Sequence, residues 1–234
     1  MRLLLISNST NPGEAYLDYP KHHIQEFLGE KPIYALFIPY AAVTFSFDDY
    51  EAKVEERFAE IGHHIVGIQR FEDPIKAVKE AEAIVVGGGN TWQLVRMLND
   101  NKLMEALREK ILSGTPYIGW SAGSNVACPT LRTTNDMPII DPKGFDCLGV
   151  VPFQINPHYL DRNPEGHGGE TREQRIEEFL EINPEIYVVG LREGTMFKYD
   201  EGVLSLIGEK SARVFKKNSI PKEHKTGDDF CFLM

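Results

Sequence analysis

A chain of 234 residues with 42% apolar and 26% charged residues is long enough to bury a sizeable core and too evenly mixed to be disordered. Its net charge of -10 excludes a basic nucleic-acid footprint, and an anionic ligand would need a local cation to overcome the overall field. No apolar run approaches the roughly 20 residues of a membrane span. The three scattered cysteines, Cys128, Cys147 and Cys231, fit neither a disulfide framework nor a zinc knuckle.

Residues 3–6, Leu-Leu-Leu-Ile, form an apolar run too short for a signal-peptide core, with no small-residue cleavage site after it. They read as a first buried strand, and a cytosolic location is expected. Residues 33–38 read as a second strand. Over 48–61, Tyr50, Val54, Phe58 and Ile61 recur at helical spacing, and Ser46 with Asp49 offers a capping box. A strand over 64–68 follows. Asp73-Pro74 then opens a short helix through Ala81, with proline at the tolerated first position. Residues 83–86 form a buried strand that ends in Gly87-Gly88-Gly89. A helix carrying Leu94, Val95 and Leu98, a helix over 102–112 and a strand over 117–120 come next. This alternation predicts a mostly parallel sheet with helices on both faces.

Beyond Ser121 the pattern loosens. Residues 129–157 read as loops with short strands, and 159–170 as a mobile, glycine-bearing surface loop. A helix over 171–182 starts with the capping pair Thr171 and Gln174. Residues 187–191 read as a strand, and 203–207 with 212–215 as a final hairpin. One domain over 1–234 is expected.

The sharpest local signal is Gly119-Trp120-Ser121-Ala122-Gly123, a G-x-S-x-G motif directly after an apolar strand. A strand, a tight turn and a helix would hold the Ser121 hydroxyl above the sheet and aim the Ala122 N–H at the same point. The Gly87–Gly89 run ends a second strand. It reads either as an anion cradle or as an oxyanion donor, and its spacing fits neither common nucleotide-binding fingerprint. Both turns fall at the carboxyl ends of parallel strands, where open α/β sheets place ligands.

A serine nucleophile needs a base. His158, in the rigid turn Ile155-Asn156-Pro157-His158, is favoured over His167 in a glycine-rich loop. His22, His23, His63, His64 and His224 read as surface or tail residues. Asp136 and Glu193 are both candidates to hold the imidazole.

Together the strings Val85-Val86-Gly87-Gly88-Gly89-Asn90-Thr91, Tyr117 to Gly123, Ala127 to Thr130, Arg132 to Pro138, Gln154 to His158 and Pro164 to Arg175 resemble the peptidase E family of α-aspartyl dipeptidases. The likeness runs along the whole chain and loosens after Thr195. It implies a serine dipeptidase that needs no metal or cofactor and releases aspartate from small acidic Asp-Xaa dipeptides. It also implies a fold like the class I glutamine amidotransferases, which carry cysteine at the elbow. Carried over, Ser121 is the nucleophile, His158 the base, and the N–H groups of Gly89 and Ala122 the oxyanion hole. Asp136 matches an acid the family requires for activity, and Glu193 an acid proposed to orient the histidine. Asn90 and Arg172 are the substrate-binding candidates. Arg172 would grip the aspartate carboxylate through its planar fork, with Arg132 as rival. The 159–170 loop would serve as a lid. No nucleic acid or membrane partner is expected, and the protein should be a monomer or small homo-oligomer. Rival readings are a cyanophycinase-like exopeptidase, an anion-binding protein using the Gly87–Thr91 turn, and a carboxylesterase.

Overall fold

The run Leu3-Leu4-Leu5-Ile6 lacks polar alternation because both faces of its strand are covered. In the computed structural model, which describes residues 1–166 and 168–234, β1 (Arg2–Ile6) turns Leu3 and Leu5 to one hydrophobic cluster. Leu4 and Ile6 point to another on the opposite face. Four strands run parallel with it: β2 (Tyr34–Ile38), β3 (His64–Gly67), β4 (Ile84–Val86) and β5 (Pro116–Trp120).

Helices cover both faces, as the alternation predicts. α1 (Lys21–Leu28) and α2 (Phe47–Glu60) bring Ile24, Phe27, Val54 and Phe58 to the Leu4–Ile6 face. α3 (Pro74–Glu80), α4 (Thr91–Asp100), α5 (Met104–Leu112) and α6 (Ala122–Val126) bring Val78, Leu94, Leu98, Leu107 and Val126 to the other. Their starts are written locally. Ser46 Oγ accepts the Asp49 N–H at 3.0 Å, Asp73 caps α3 ahead of Pro74, and Asn90 Oδ1 accepts the Gln93 N–H at 3.1 Å.

The second half adds β6 (Gln154–Pro157), α7 (Arg172–Ile182), β7 (Val188–Leu191), β8 (Met196–Asp200), β9 (Val203–Ile207), β10 (Ala212–Phe215) and β11 (Lys222–His224). β8 and β9 extend the first sheet antiparallel, giving the order β3-β2-β4-β5-β1-β8-β9. The others form a second sheet, β11-β10-β7-β6, in which β6 and β7 alone are parallel. Its Ile155, Val189, Leu191 and Val214 join the cluster of Leu3 and Leu5. On its other side, α7 packs Ile176 and Leu180 against Val188 and Phe215. The capping box at Thr171 and Gln174 is present, at 3.2 and 2.8 Å.

Two expectations fail here. Residues 203–207 and 212–215 do not pair as a hairpin: β9 pairs with β8 in the first sheet, and β10 with β7 and β11 in the second. Alternation tells which side of a strand is buried, not which strand lies beside it. The stretch Ile155-Asn156-Pro157-His158 is not a turn: its first three residues belong to the buried strand β6, paired with β7, and His158 is the first residue beyond it. Two strands of the second sheet, β7 and β10, stand where strands are expected, but their assembly with β6 and β11 into a separate sheet has no counterpart in the expected pattern.

No helix among the described residues is long and apolar enough to cross a membrane. Cys128 is buried, and burial pushes its thiol up to about 12, so it stays protonated at neutral pH.

Candidate active site

β1, β2, β4 and β5 deliver their carboxyl ends to one edge of the sheet, where Ser7, Pro39, Gly87 and Ser121 follow. Ser121 has φ 54° and ψ -110°, a conformation that costs a side-chain-bearing residue about 1–3 kcal/mol. Its neighbours hold it there. The Ser121 N–H donates to the Ile6 carbonyl at 3.0 Å, and its own carbonyl accepts the N–H groups of Ser124 and Asn125 at 3.0 and 2.9 Å. A Cβ on Gly119 would lie 2.5 Å from the Gly123 backbone, and one on Gly123 would run into the Val86 carbonyl. Both glycines are therefore demanded by close approach of the chain. Gly89 (φ +137°) presses on the Ala41 carbonyl in the same way. Among the described residues, nothing takes up the N–H of Gly89 or of Ala122.

His158 also has a left-handed backbone, φ 53°. Ser7 bolts it in place: the His158 N–H donates to Ser7 Oγ at 3.0 Å, and that hydroxyl donates to the Leu191 carbonyl at 2.7 Å. From this perch His158 Nε2 lies 2.9 Å from Ser121 Oγ, and Nδ1 lies 2.7 Å from Glu193 Oε1. The Glu193 segment is fixed in turn. The Gly194 N–H donates to Asn8 Oδ1 at 2.8 Å, and Lys210 Nζ donates to the Glu193 carbonyl at 2.9 Å.

Ser121, His158 and Glu193 thus form one hydrogen-bonded line. Asp136 is not in it. Its Oδ2 accepts from the Thr91 N–H at 2.7 Å, the Thr91 hydroxyl at 2.6 Å and the Thr134 hydroxyl at 3.0 Å. It sits at the N-terminus of α4, where a carboxylate is favoured, and lines the cleft beside Ser121. Asn90 caps the same helix, and its amide donates to the Met137 carbonyl at 3.0 Å.

Arg172 begins α7 and lines a neighbouring hollow with Leu160, Asn163 and Arg175, not the cleft that holds Ser121. Burial and the nearby Arg175 charge pull its guanidinium below the ordinary arginine value, against the opposing pull of Asp136. Arg132 points elsewhere, 4.6 Å above the Phe145 ring. His167 lies outside the described residues. The sequence reading missed Ser7 and Asn8, which hold the second half of the site. It also missed Lys53, Tyr16 and Tyr50, which line the cleft. The only sequence signal for the first two was their place directly after the first strand.

The cleft measures about 430 Å³, room for a small ligand. A hydroxyl poised against an imidazole, a carboxylate behind that imidazole and two free N–H groups at glycine turns are the parts needed for acyl transfer.

Comparison with known proteins agrees. The model of peptidase family S51 matches residues 3–207. The chain is 52% identical to peptidase E of Nostoc sp. over all of its length and 96% of that protein. It is 49% identical to peptidase E of Salmonella paratyphi A, over 92% of this chain and 94% of that one. A crystal structure of a peptidase from an acI-B1 actinobacterium superposes over 98% of this chain and 96% of its own, with TM-score 0.69 at 17% identity. A putative peptidase E from Listeria monocytogenes gives TM-score 0.59 at 20% identity, over 96% and 98% of the two chains; these two likenesses speak for the fold. The chain belongs to peptidase family S51 and is a serine peptidase of the peptidase E group.

Proposed function

We propose that the protein is a dipeptidase that releases N-terminal aspartate from Asp-Xaa dipeptides, with Ser121 as nucleophile, His158 as general base and Glu193 as the acid that orients it. The observation that carries the mechanism is the line from Ser121 Oγ through His158 to Glu193, at 2.9 and 2.7 Å.

In this reading Ser121 Oγ attacks the peptide carbonyl carbon while His158 Nε2 takes its proton. Glu193 holds Nδ1–H and stabilises the imidazolium that forms. The oxyanion settles between the N–H groups of Gly89 and Ala122. His158 then gives its proton to the departing amine, leaving aspartate as an ester on Ser121. Water attacks that ester with the same base and frees the amino acid. Asp136, which lies in the cleft and accepts from Thr91 and Thr134, takes the substrate's ammonium group in this reading. Arg172, half-buried and within the field of Asp136, is the cation for the aspartate side chain.

The test is a panel of Asp-Leu, Glu-Leu, Ala-Leu, Asp-Leu-Gly and β-linked Asp-Arg, run on wild type, Ser121→Ala and Arg172→Ala. The expected result is cleavage of Asp-Leu alone, lost by about 10⁴-fold or more in Ser121→Ala with folding intact. Arg172→Ala should lose the preference for Asp-Leu over Ala-Leu. Cleavage of the β-linked substrate in place of Asp-Leu would replace this reading with the polymer-directed exopeptidase.

A further inference from the structure

A dipeptide with N-terminal aspartate carries two carboxylates: the aspartate side chain and the free α-carboxylate of the departing residue. In the reading above, Arg172 reaches the first from the hollow that it lines. Apart from His158, the sole basic side chain among the described residues lining the Ser121 cleft is Lys53.

Lys53 lies on α2, three residues from Tyr50, so the two are neighbours on the helix surface. Its Nζ sits 3.9 Å from the centre of the Tyr16 ring, and no carboxylate among the described residues pairs with it. The ring steadies the ammonium without neutralising it. Tyr16 is fixed in turn: its hydroxyl donates to the Tyr50 hydroxyl at 3.1 Å, which donates to the Gly88 carbonyl at 2.9 Å. The Trp120 Nε1–H donates to the same Tyr50 oxygen at 3.1 Å. Phe45 packs edge-on against Tyr50 and completes an aromatic wall along the cleft. The wall is thus tied both to the glycine turn and to the residue just before Ser121.

The two cations come from opposite faces of the first sheet. α2 packs on the Leu4–Ile6 side. Arg172 starts α7, which covers the second sheet, and that sheet packs on the Leu3–Leu5 side.

We propose that Lys53, with Tyr16, Phe45, Tyr50 and Trp120, forms the subsite for the departing residue. Lys53 Nζ binds its free α-carboxylate, and the aromatic wall receives its side chain. The proposal rests on the aspartyl dipeptidase reading above and adds to it a reason for the two-residue limit. A third residue turns the carboxylate into a neutral amide and leaves the ammonium without a partner. Lys53 is exposed, so the contact is a partly solvated one, worth about tenfold in kcat/KM. It exists before and during reaction alike, so the loss should fall on KM rather than kcat.

The experiment compares Asp-Leu with Asp-leucinamide, which differ only in the terminal carboxylate, on wild type, Lys53→Met and Lys53→Arg. Wild type should prefer the acid over the amide. Lys53→Met should lower that preference about tenfold, through KM, and Lys53→Arg should keep most of it. A lysine that merely supported the fold would depress both substrates equally, and the unchanged ratio would overturn the subsite alone. An enzyme that cleaved neither substrate would overturn the aspartyl reading itself, and the subsite with it.

Discussion

In the first sheet the nucleophile grows out of local chemistry. The five residues Gly119 to Gly123, which span the end of β5 and include two glycines that the chain cannot replace, hold Ser121 in its strained turn. In the second sheet nothing so local exists. His158 and Glu193 are 35 residues apart, and they meet because Pro157 pairs with Leu191 where β6 and β7 lie parallel. The hydroxyl of Ser7, just beyond β1, then ties the ends of β6 and β7 to the first sheet, and the neighbouring Asn8 holds Gly194. One half of the site is therefore made by a turn, and the other by the registry of distant strands. The nucleophile should survive damage to the second sheet that the base and its acid do not.

The two acids give the largest test of that division. Glu193→Gln keeps the shape of the contact with Nδ1 but favours the wrong tautomer of His158. Turnover should fall about 10³–10⁴-fold with the melting temperature nearly unchanged. Asp136→Asn removes a carboxylate from the start of α4, where it holds the Thr91 N–H and two hydroxyls. That change should cost about 0.5–1 kcal/mol of stability and raise KM more than it lowers kcat. Equal losses of kcat in both variants, with stability kept in both, would break the assignment of the two acids to different tasks.

The same contrast explains what could be read in the sequence. The parallel strands, the capped helices and Ser121 all follow from spacing within a dozen residues, and they stand where the pattern puts them. His158 was legible only as the stiffer of two loop histidines, since β6 is four residues long and carries proline. Asp136 and Glu193 could not be told apart, because an acid in a polar loop and an acid just after a strand both suit such a role, and only the fold brings one of them to the imidazole. Arg172 was chosen for its chemistry and lies beside the cleft. Lys53 went unnoticed because on α2 it is one more charge on a solvated helix face, and its place against Tyr16 joins two segments 37 residues apart by sequence number (53 minus 16).

Ser7→Ala sharpens the comparison at an intermediate level. It leaves the His158 N–H and the Leu191 carbonyl without their shared partner between the sheets. A loss of about 1–3 kcal/mol follows from stranding such groups. The chemistry should weaken as well, by about tenfold in kcat, as His158 drifts from Ser121. A Ser7→Ala enzyme with full turnover would mean that β6 alone places the histidine.

The smallest effect concerns the outer edge of the second sheet, where ion pairs meet on Glu223. Arg192, the neighbour of Glu193, pairs with Glu223 on β11 at 2.8 Å and also with Asp161 in the loop after His158. Arg192, Ser211 and Arg213 together hold the Glu223 carboxyl down at about 2, below its ordinary value of 4.5. Because the folded value is the lower one, the stabilisation is fully present above about 4.5 and is lost as the pH falls through about 2. Glu223 is 42% exposed, so the contribution is screened and amounts to about 1 kcal/mol or less, roughly 2–4 °C at most. Glu223→Gln should therefore melt slightly below wild type at pH 7, and the two curves should converge between pH 4.5 and pH 2. Amide exchange should locate the loosening in β10 and β11, with β1 and β5 unaffected. Equal loosening of both sheets would mean that the edge pairs support the whole molecule, and that the two halves of the site are less separable than their construction implies.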